Sequence, residues 1–189
     1  FTITSDVILI TTRDPEIASA AALLADRIEG SPVVLHTSGS LSSDILANLA
    51  DRGCSIGSMH PLVSISDAFS GADNFANVFF CIEVDERAVE TADILVASLG
   101  GRSFSIPTDK KPLYHASAVT ACGHVVALID IAIEMLSKCG MDIERSRQIL
   151  FPLIESTVRN LEFRDTASSL TGSFARADVA ALKRHLVSI

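Results

Sequence analysis

The sequence predicts an α/β fold: a mostly parallel sheet within residues 1–110, then an all-helical region over 111–189. Short apolar runs alternate with helical patterns in the first part, joined by short turns that carry glycine. These runs are nearly continuous rather than alternating, which suits strands covered on both faces. After Pro112 the strand signal stops and only helical patterns follow.

The first run spans 5–12 and ends at Arg13-Asp14-Pro15, with a helix expected over 16–28. Asp14 is the expected N-cap, Pro15 the first helical residue and Gly30 the stop. Residues 32–37 read as a second strand, and 41–52 as a helix closed by Gly53. A third strand over 54–59 ends at His60-Pro61. Residues 62–77 show no regular pattern. A strand over 78–84, a helix over 86–99 and a strand over 102–106 complete the layer. Four helices are expected beyond it, over 113–138, 142–160, 164–170 and 174–186. Pro152 should kink the second. The first is apolar almost all round, which calls for cover on every side. A second copy of the chain is the simplest cover, so a homodimer through helix 113–138 is expected.

Composition narrows the function. The chain has 189 residues, 48% of them hydrophobic, and a net charge of -8. An acidic chain without a basic stripe is ill suited to nucleic acid. Aromatic residues make up 5% and tryptophan is absent, so base-stacking platforms are not expected either. Cys54, Cys81, Cys122 and Cys139 show no C-x-x-C spacing and read as reduced thiols. The start carries no basic segment of a secretory leader. The longest apolar stretch, 116–136, is broken by His124, Asp130 and Glu134, against a membrane span. A cytoplasmic protein acting on a small molecule is the expectation.

In open parallel sheets ligands sit at the carboxyl ends of the strands. Thr12, Arg13, Asp14 and Pro15 lie there after the first strand, and Thr37, Ser38 and Gly39 after the second. His60, after the third, is a candidate general acid or base. His115 and His124 share the long helix nine residues apart, about 180° around its axis, so they cannot serve one site. His115, beside Tyr114 and nearer the sheet, is the better candidate, and His124 is expected in a helix–helix interface. No metal set is recognisable by spacing. Ser173 reads as a cap for the last helix, with Arg176 and Asp178 nearby. The G-x-G-x-x-G fingerprint, the G-x-S-x-G elbow and the Walker loop are absent.

Several runs carry a resemblance. They are His36-Thr37-Ser38-Gly39, Gly57-Ser58-Met59-His60-Pro61-Leu62, Leu99-Gly100-Gly101, Tyr114-His115-Ala116-Ser117-Ala118-Val119, Phe151-Pro152-Leu153 and Leu170-Thr171-Gly172 with Arg176 and Asp178. Together, and in order, they resemble Rossmann-like oxidoreductases of the 6-phosphogluconate-dehydrogenase-like superfamily. These are relatives of pyrroline-5-carboxylate reductase, ketopantoate reductase and prephenate dehydrogenase. The resemblance implies part of an NAD(P)-binding Rossmann domain over 1–110 and a helical dimerisation and substrate domain over 111–189. Its glycine-rich phosphate loop would lie upstream of Phe1.

Carried over residue by residue, the resemblance places Thr12–Pro15 and Thr37–Gly39 at the NAD or NADP cofactor. It places His60 and His115 at the chemistry, and Tyr114, Thr171 and Arg176 at the substrate. Where the family has Asn, Pro and Gly, this chain has Gly123, Ser173 and Ala177. The implied reaction moves a hydride between the nicotinamide and a small carbonyl, alcohol or imine. His60 or His115 handles the proton, and Ser38 bonds the reacting oxygen or nitrogen. Two other readings stand beside this one. One is a non-catalytic dimerisation or small-molecule-binding module. The other is a structural partner that pairs through an unpaired sheet edge at residues 7–11.

Overall fold

The computed structural model describes residues 2–67, 69 and 71–188. Two compact units divide the chain, residues 1–123 and 124–189. Of the irregular stretch 62–77, positions 68 and 70 lie outside the described residues.

The first unit is a five-stranded sheet in sequence order: β1 (Val7–Ile10), β2 (Val33–His36), β3 (Ser55–Pro61), β4 (Phe79–Val84) and β5 (Arg102–Ser105). Three of its pairings are parallel, and β3–β4 is antiparallel. The exception has a local cause. Parallel neighbours need a crossover of about a dozen residues, usually a helix. Between β3 and β4 the described residues form no crossover helix, only the 3-10 turn Ala72–Phe75, and the chain returns antiparallel. The strand β1 is an edge of the sheet, with Leu9 46% exposed.

Helices α1 (Asp14–Ala25), α2 (Ala47–Ala50) and α3 (Glu86–Ser98) complete this layer. Ile17 and Ala21 of α1 and Leu49 of α2 pack with Ile10, Val34 and Ile56. Ala88, Ala92 and Val96 of α3 pack with Leu35, Met59, Phe80 and Ile82. Both faces of the sheet are therefore covered, as continuous apolar strands require.

Several local expectations need correction. The N-cap of α1 is Arg13, and Asp14 is already helical, because its carboxylate is taken by the Ser40 hydroxyl at 2.8 Å. The helix also ends at Ala25, short of Gly30. The expected helix over 41–52 is a 3-10 turn, Ser43–Leu46, leading into the single turn α2. Strand β3 continues through His60 and Pro61, which pair with Cys81 and Phe80.

The expected long helix is α4 (Lys111–Val119), a π turn over Thr120–His124 and α5 (Val125–Lys138). Gly123 and the back-bonding Thr120 hydroxyl, on the Ala116 carbonyl at 2.8 Å, weaken the regular helix there.

The second unit holds α5, α6 (Ile143–Phe163), α7 (Thr166–Ser169), α8 (Gly172–Ala175) and α9 (Val179–Ser188). Helix α6 runs through Pro152 without ending. Asp142 caps it by accepting from the Arg145 amide at 2.7 Å. The last expected helix is divided into α8 and α9. Asp178 rather than Ser173 caps α9, accepting from the Ala181 amide at 2.9 Å.

Ala177, between α8 and α9, has φ 51°. A side chain in that left-handed region costs roughly 1 kcal/mol. Ala177→Gly is expected to raise stability by about 0.5–1 kcal/mol, read from urea unfolding.

The stretch Thr108–Lys138 is long and apolar enough to cross a membrane by length and composition alone. On α5, Val126 is 63% and Leu128 66% exposed, so the single chain does not cover this helix. His124 is likewise exposed in the chain.

Candidate active site

The site is built where α4 meets one face of the sheet. Side chains two apart on a strand share a face, and cross-strand partners share it too. His36, Ser58 and Glu83 therefore form one row across β2, β3 and β4, and His60 and Cys81 form part of the next. On α4, Lys111, Tyr114 and His115 stand three and four apart, on a single helix face. Pro112, in the first turn, costs that helix no hydrogen bond.

The two sets interlock. The Tyr114 hydroxyl lies 2.7 Å from Nδ1 of His60. The His60 ring meets those of Tyr114 and His115 edge-on, with centroids 5.7 and 5.8 Å apart. Phe104 of β5 holds Tyr114 from another side, at 5.8 Å. Lys111 is fully buried, and its ammonium donates to the Ser58 hydroxyl.

Glu83 is also buried. It accepts from the Ser43 amide at 2.8 Å and the Ser43 hydroxyl at 3.3 Å. The carboxylate thus anchors the chain that follows the turn at 37–42. Sequence reasoning passed over Lys111, Glu83 and Cys81. The available signal was two polar pairs at alternate positions, Ser58/His60 and Cys81/Glu83, in otherwise apolar strands.

Burial, then the Lys111 charge and His115, lower the His60 pKa to about 4, so its ring is neutral near pH 7. Burial also lowers the Lys111 and His36 pKa values, and raises those of the Cys81 thiol and the Tyr114 phenol. Tyr114 therefore keeps its proton.

The turn after β2 is fixed by its own polar groups. His36 Nδ1 accepts from the Ser38 amide at 3.2 Å, so its Nε2 carries the proton given to the Ser42 carbonyl. The buried Ser38 hydroxyl accepts from the Ser40 and Leu41 amides. Ser38 thereby shapes the turn.

Gly39 packs directly on the two histidines. A Cβ there would lie 2.5 Å from Cδ2 of His115 and 2.6 Å from Nε2 of His60. Gly39→Val is expected to push both rings aside. A loss of about 1–3 kcal/mol in urea unfolding, with shifted His60 and His115 NMR signals, is the predicted result.

A cavity of about 490 Å³ opens beside these rings. His60, Tyr114 and His115 supply its polar side. Leu62, Val63, Ala118 and Val119 supply apolar wall, and Cys122 and Gly123 come from the π turn. The structure thus brings together His60, His115, Tyr114 and Gly39. Ser40 ties the turn after β2 to Asp14 on α1. Thr12 and Arg13 are exposed at the end of β1, Pro15 is in the first turn of α1, and Thr37 is half-buried. Arg13 pairs at the surface with Glu16. Thr171 and Arg176 belong to the second unit, flanking α8. Among the described residues no three His, Cys, Asp or Glu side chains are grouped to hold a metal ion.

Residues 78–189, which carry β4, α3, β5 and all the helices that follow, match the model of a domain of unknown function, DUF2520. The chain belongs to the DUF2520 family. The DUF2520 chain has no match among curated proteins. Among solved structures it is similar to protein TM1727 from Thermotoga maritima, at 26% identity and TM-score 0.79, covering 97% of this chain and 69% of that one. It is also similar to BF3122 from Bacteroides fragilis, provisionally described as an NADP oxidoreductase. There the identity is 19%, the TM-score 0.75, and the coverage 97% and 68%. A third is the NADP-bound pyrroline carboxylate reductase from Plasmodium falciparum, at 15% identity and TM-score 0.59, covering 96% and 70%. These likenesses establish the α/β fold, whose neighbours include NAD(P)-binding oxidoreductases.

Proposed function

We propose that this chain serves an NAD(P)-dependent oxidoreductase of the 6-phosphogluconate-dehydrogenase-like superfamily, acting on a small carbonyl, alcohol or imine. The observation that carries the reading is the convergence of His60, Tyr114 and His115 on one cavity beside the Gly39 turn.

The residues present fit the nicotinamide end of a dinucleotide. The ends of β1 and β2 offer uncharged Thr12 and Thr37 and a glycine turn. The first turn of α1 carries Asp14 and Glu16, which disfavour phosphate there. Thr12–Pro15 and Thr37–Gly39 would hold the nicotinamide and its ribose, and the bound cofactor would supply the hydride. His60 and His115 face the substrate, and Tyr114 orients His60. Leu62, Val63 and Val119 give the cavity an apolar wall against which a small carbon skeleton would pack. Thr171 and Arg176 are substrate-binding candidates through the resemblance alone. A change in NADPH or NADH fluorescence on titration of the protein that carries the upstream glycine-rich segment the resemblance implies, saturating in the submicromolar range, is the expected result. No saturation with either cofactor would overturn the reading.

A homodimer in the cytoplasm goes with this proposal. Val125, Val126, Leu128, Ile131 and Met135 leave α5 with a largely unburied apolar surface, which a second copy would cover. Leu128→Glu with Ile131→Glu is expected to halve the mass measured by light scattering. An unchanged mass would exclude α5 from the interface.

A further inference from the structure

We propose that the cavity beside His60 selects an uncharged small molecule, whose carbon skeleton packs along Val119 and Gly123, and turns away carboxylates and ammonium groups. This preference rests on the oxidoreductase reading only for the chemistry performed; the selection by charge stands on the cavity wall.

Among the described residues, none that lines the cavity is Lys, Arg, Asp or Glu. Charges do lie nearby, and each is tied elsewhere. Beside His115, those acting on His60 belong to Lys111 and Asp14. The Lys111 ammonium is fully buried and donates to the Ser58 hydroxyl, and the Asp14 carboxylate accepts from the Ser40 hydroxyl at 2.8 Å. Neither side chain belongs to the wall. Burial, then the Lys111 charge, keep His60 itself uncharged near pH 7. Arg176 lies in the second unit and is not part of this wall.

Two hydroxyls of the wall are also engaged. That of Ser117 donates to the Tyr114 carbonyl at 2.6 Å, and that of Tyr114 pairs with His60. An entering carboxylate would exchange its water for aliphatic surface and committed hydroxyls, a cost that only an opposite charge offsets. An ammonium group meets the same loss, since no carboxylate of the wall faces it. A neutral skeleton gains instead by burying apolar surface against Leu62, Val63, Ala118 and Val119.

Gly123 gives this wall room. A Cβ there would meet Val119 Cγ1 at 3.7 Å, an ordinary contact. The π turn therefore accepts a side chain at position 123, and a charge placed there stands at the wall.

The test follows His60 and His115 by ¹⁵N NMR of the histidine-labelled full chain, at about pH 8, above the ordinary histidine range. Cyclohexanone, cyclohexanecarboxylate and cyclohexylammonium are compared, one skeleton in three charge states. Cyclohexanone is expected to shift both signals saturably and to bind at least about tenfold more tightly than either ion. An ion that binds as tightly as cyclohexanone overturns the proposal, whichever residue supplies the opposite charge. So does the lack of a saturable shift with cyclohexanone.

Gly123→Lys is expected to raise affinity for the carboxylate by about tenfold. A variant that folds and still refuses the carboxylate overturns the account of the wall. Cyclohexanone binding without NADPH binding would remove the oxidoreductase reading and leave the charge preference standing. NADPH binding together with a preference for the carboxylate would remove the charge preference alone.

Discussion

His60→Ala is expected to lower turnover by about 10²–10⁴-fold while leaving NADPH affinity nearly unchanged. The imidazole lies between Tyr114 and His115 at the cavity, and the cofactor candidates lie on the turns after β1 and β2. On the proposed reading, removing the ring deletes the group that handles the proton, and it leaves the Tyr114 hydroxyl without its nitrogen partner. The loss should therefore fall on kcat. Steady-state kinetics with an NADPH titration on the same preparation separates the two effects. Unchanged turnover would remove His60 from the mechanism.

Glu83→Ala should cost about 3–5 kcal/mol in urea unfolding, the range for breaking a buried charge arrangement from one side. The carboxylate satisfies the buried Ser43 amide and is one of the two groups that favour the charged form of buried Lys111. Its loss leaves a buried donor without an acceptor and a buried cation less compensated. Glu83→Gln keeps an acceptor for the Ser43 amide, so a smaller loss is expected from it. Equal losses from the two variants would mean that charge, rather than the hydrogen bond, dominates.

The strand and helix alternation was legible because each apolar run ends in a turn residue with a physical task, such as Gly53 at φ 85° and Gly100 at φ 72°. The reversal of β4 was not, since a strand's apolar pattern does not encode its direction. The histidines were visible as residues, and His115 was separated from His124 by helix geometry alone. Their meeting was not visible, because it depends on β3 running on through His60 and on Tyr114 reaching across to it.

Lys111 escaped notice for a related reason. In Lys110-Lys111-Pro112 it reads as one of two solvated charges, and only the helix face it shares with Tyr114 and His115 buries it. The cap of α1 was misplaced because Ser40, 26 residues away, claims the Asp14 carboxylate.

The central claim is that the cavity at His60 and His115 adjoins the nicotinamide. Adding NADPH to ¹⁵N-histidine-labelled protein tests it without a known substrate. The account predicts that the His60 and His115 signals shift together and saturate with NADPH, while that of His185, in the second unit, shifts less. Saturable binding with both signals unmoved, or no binding at all, would contradict it.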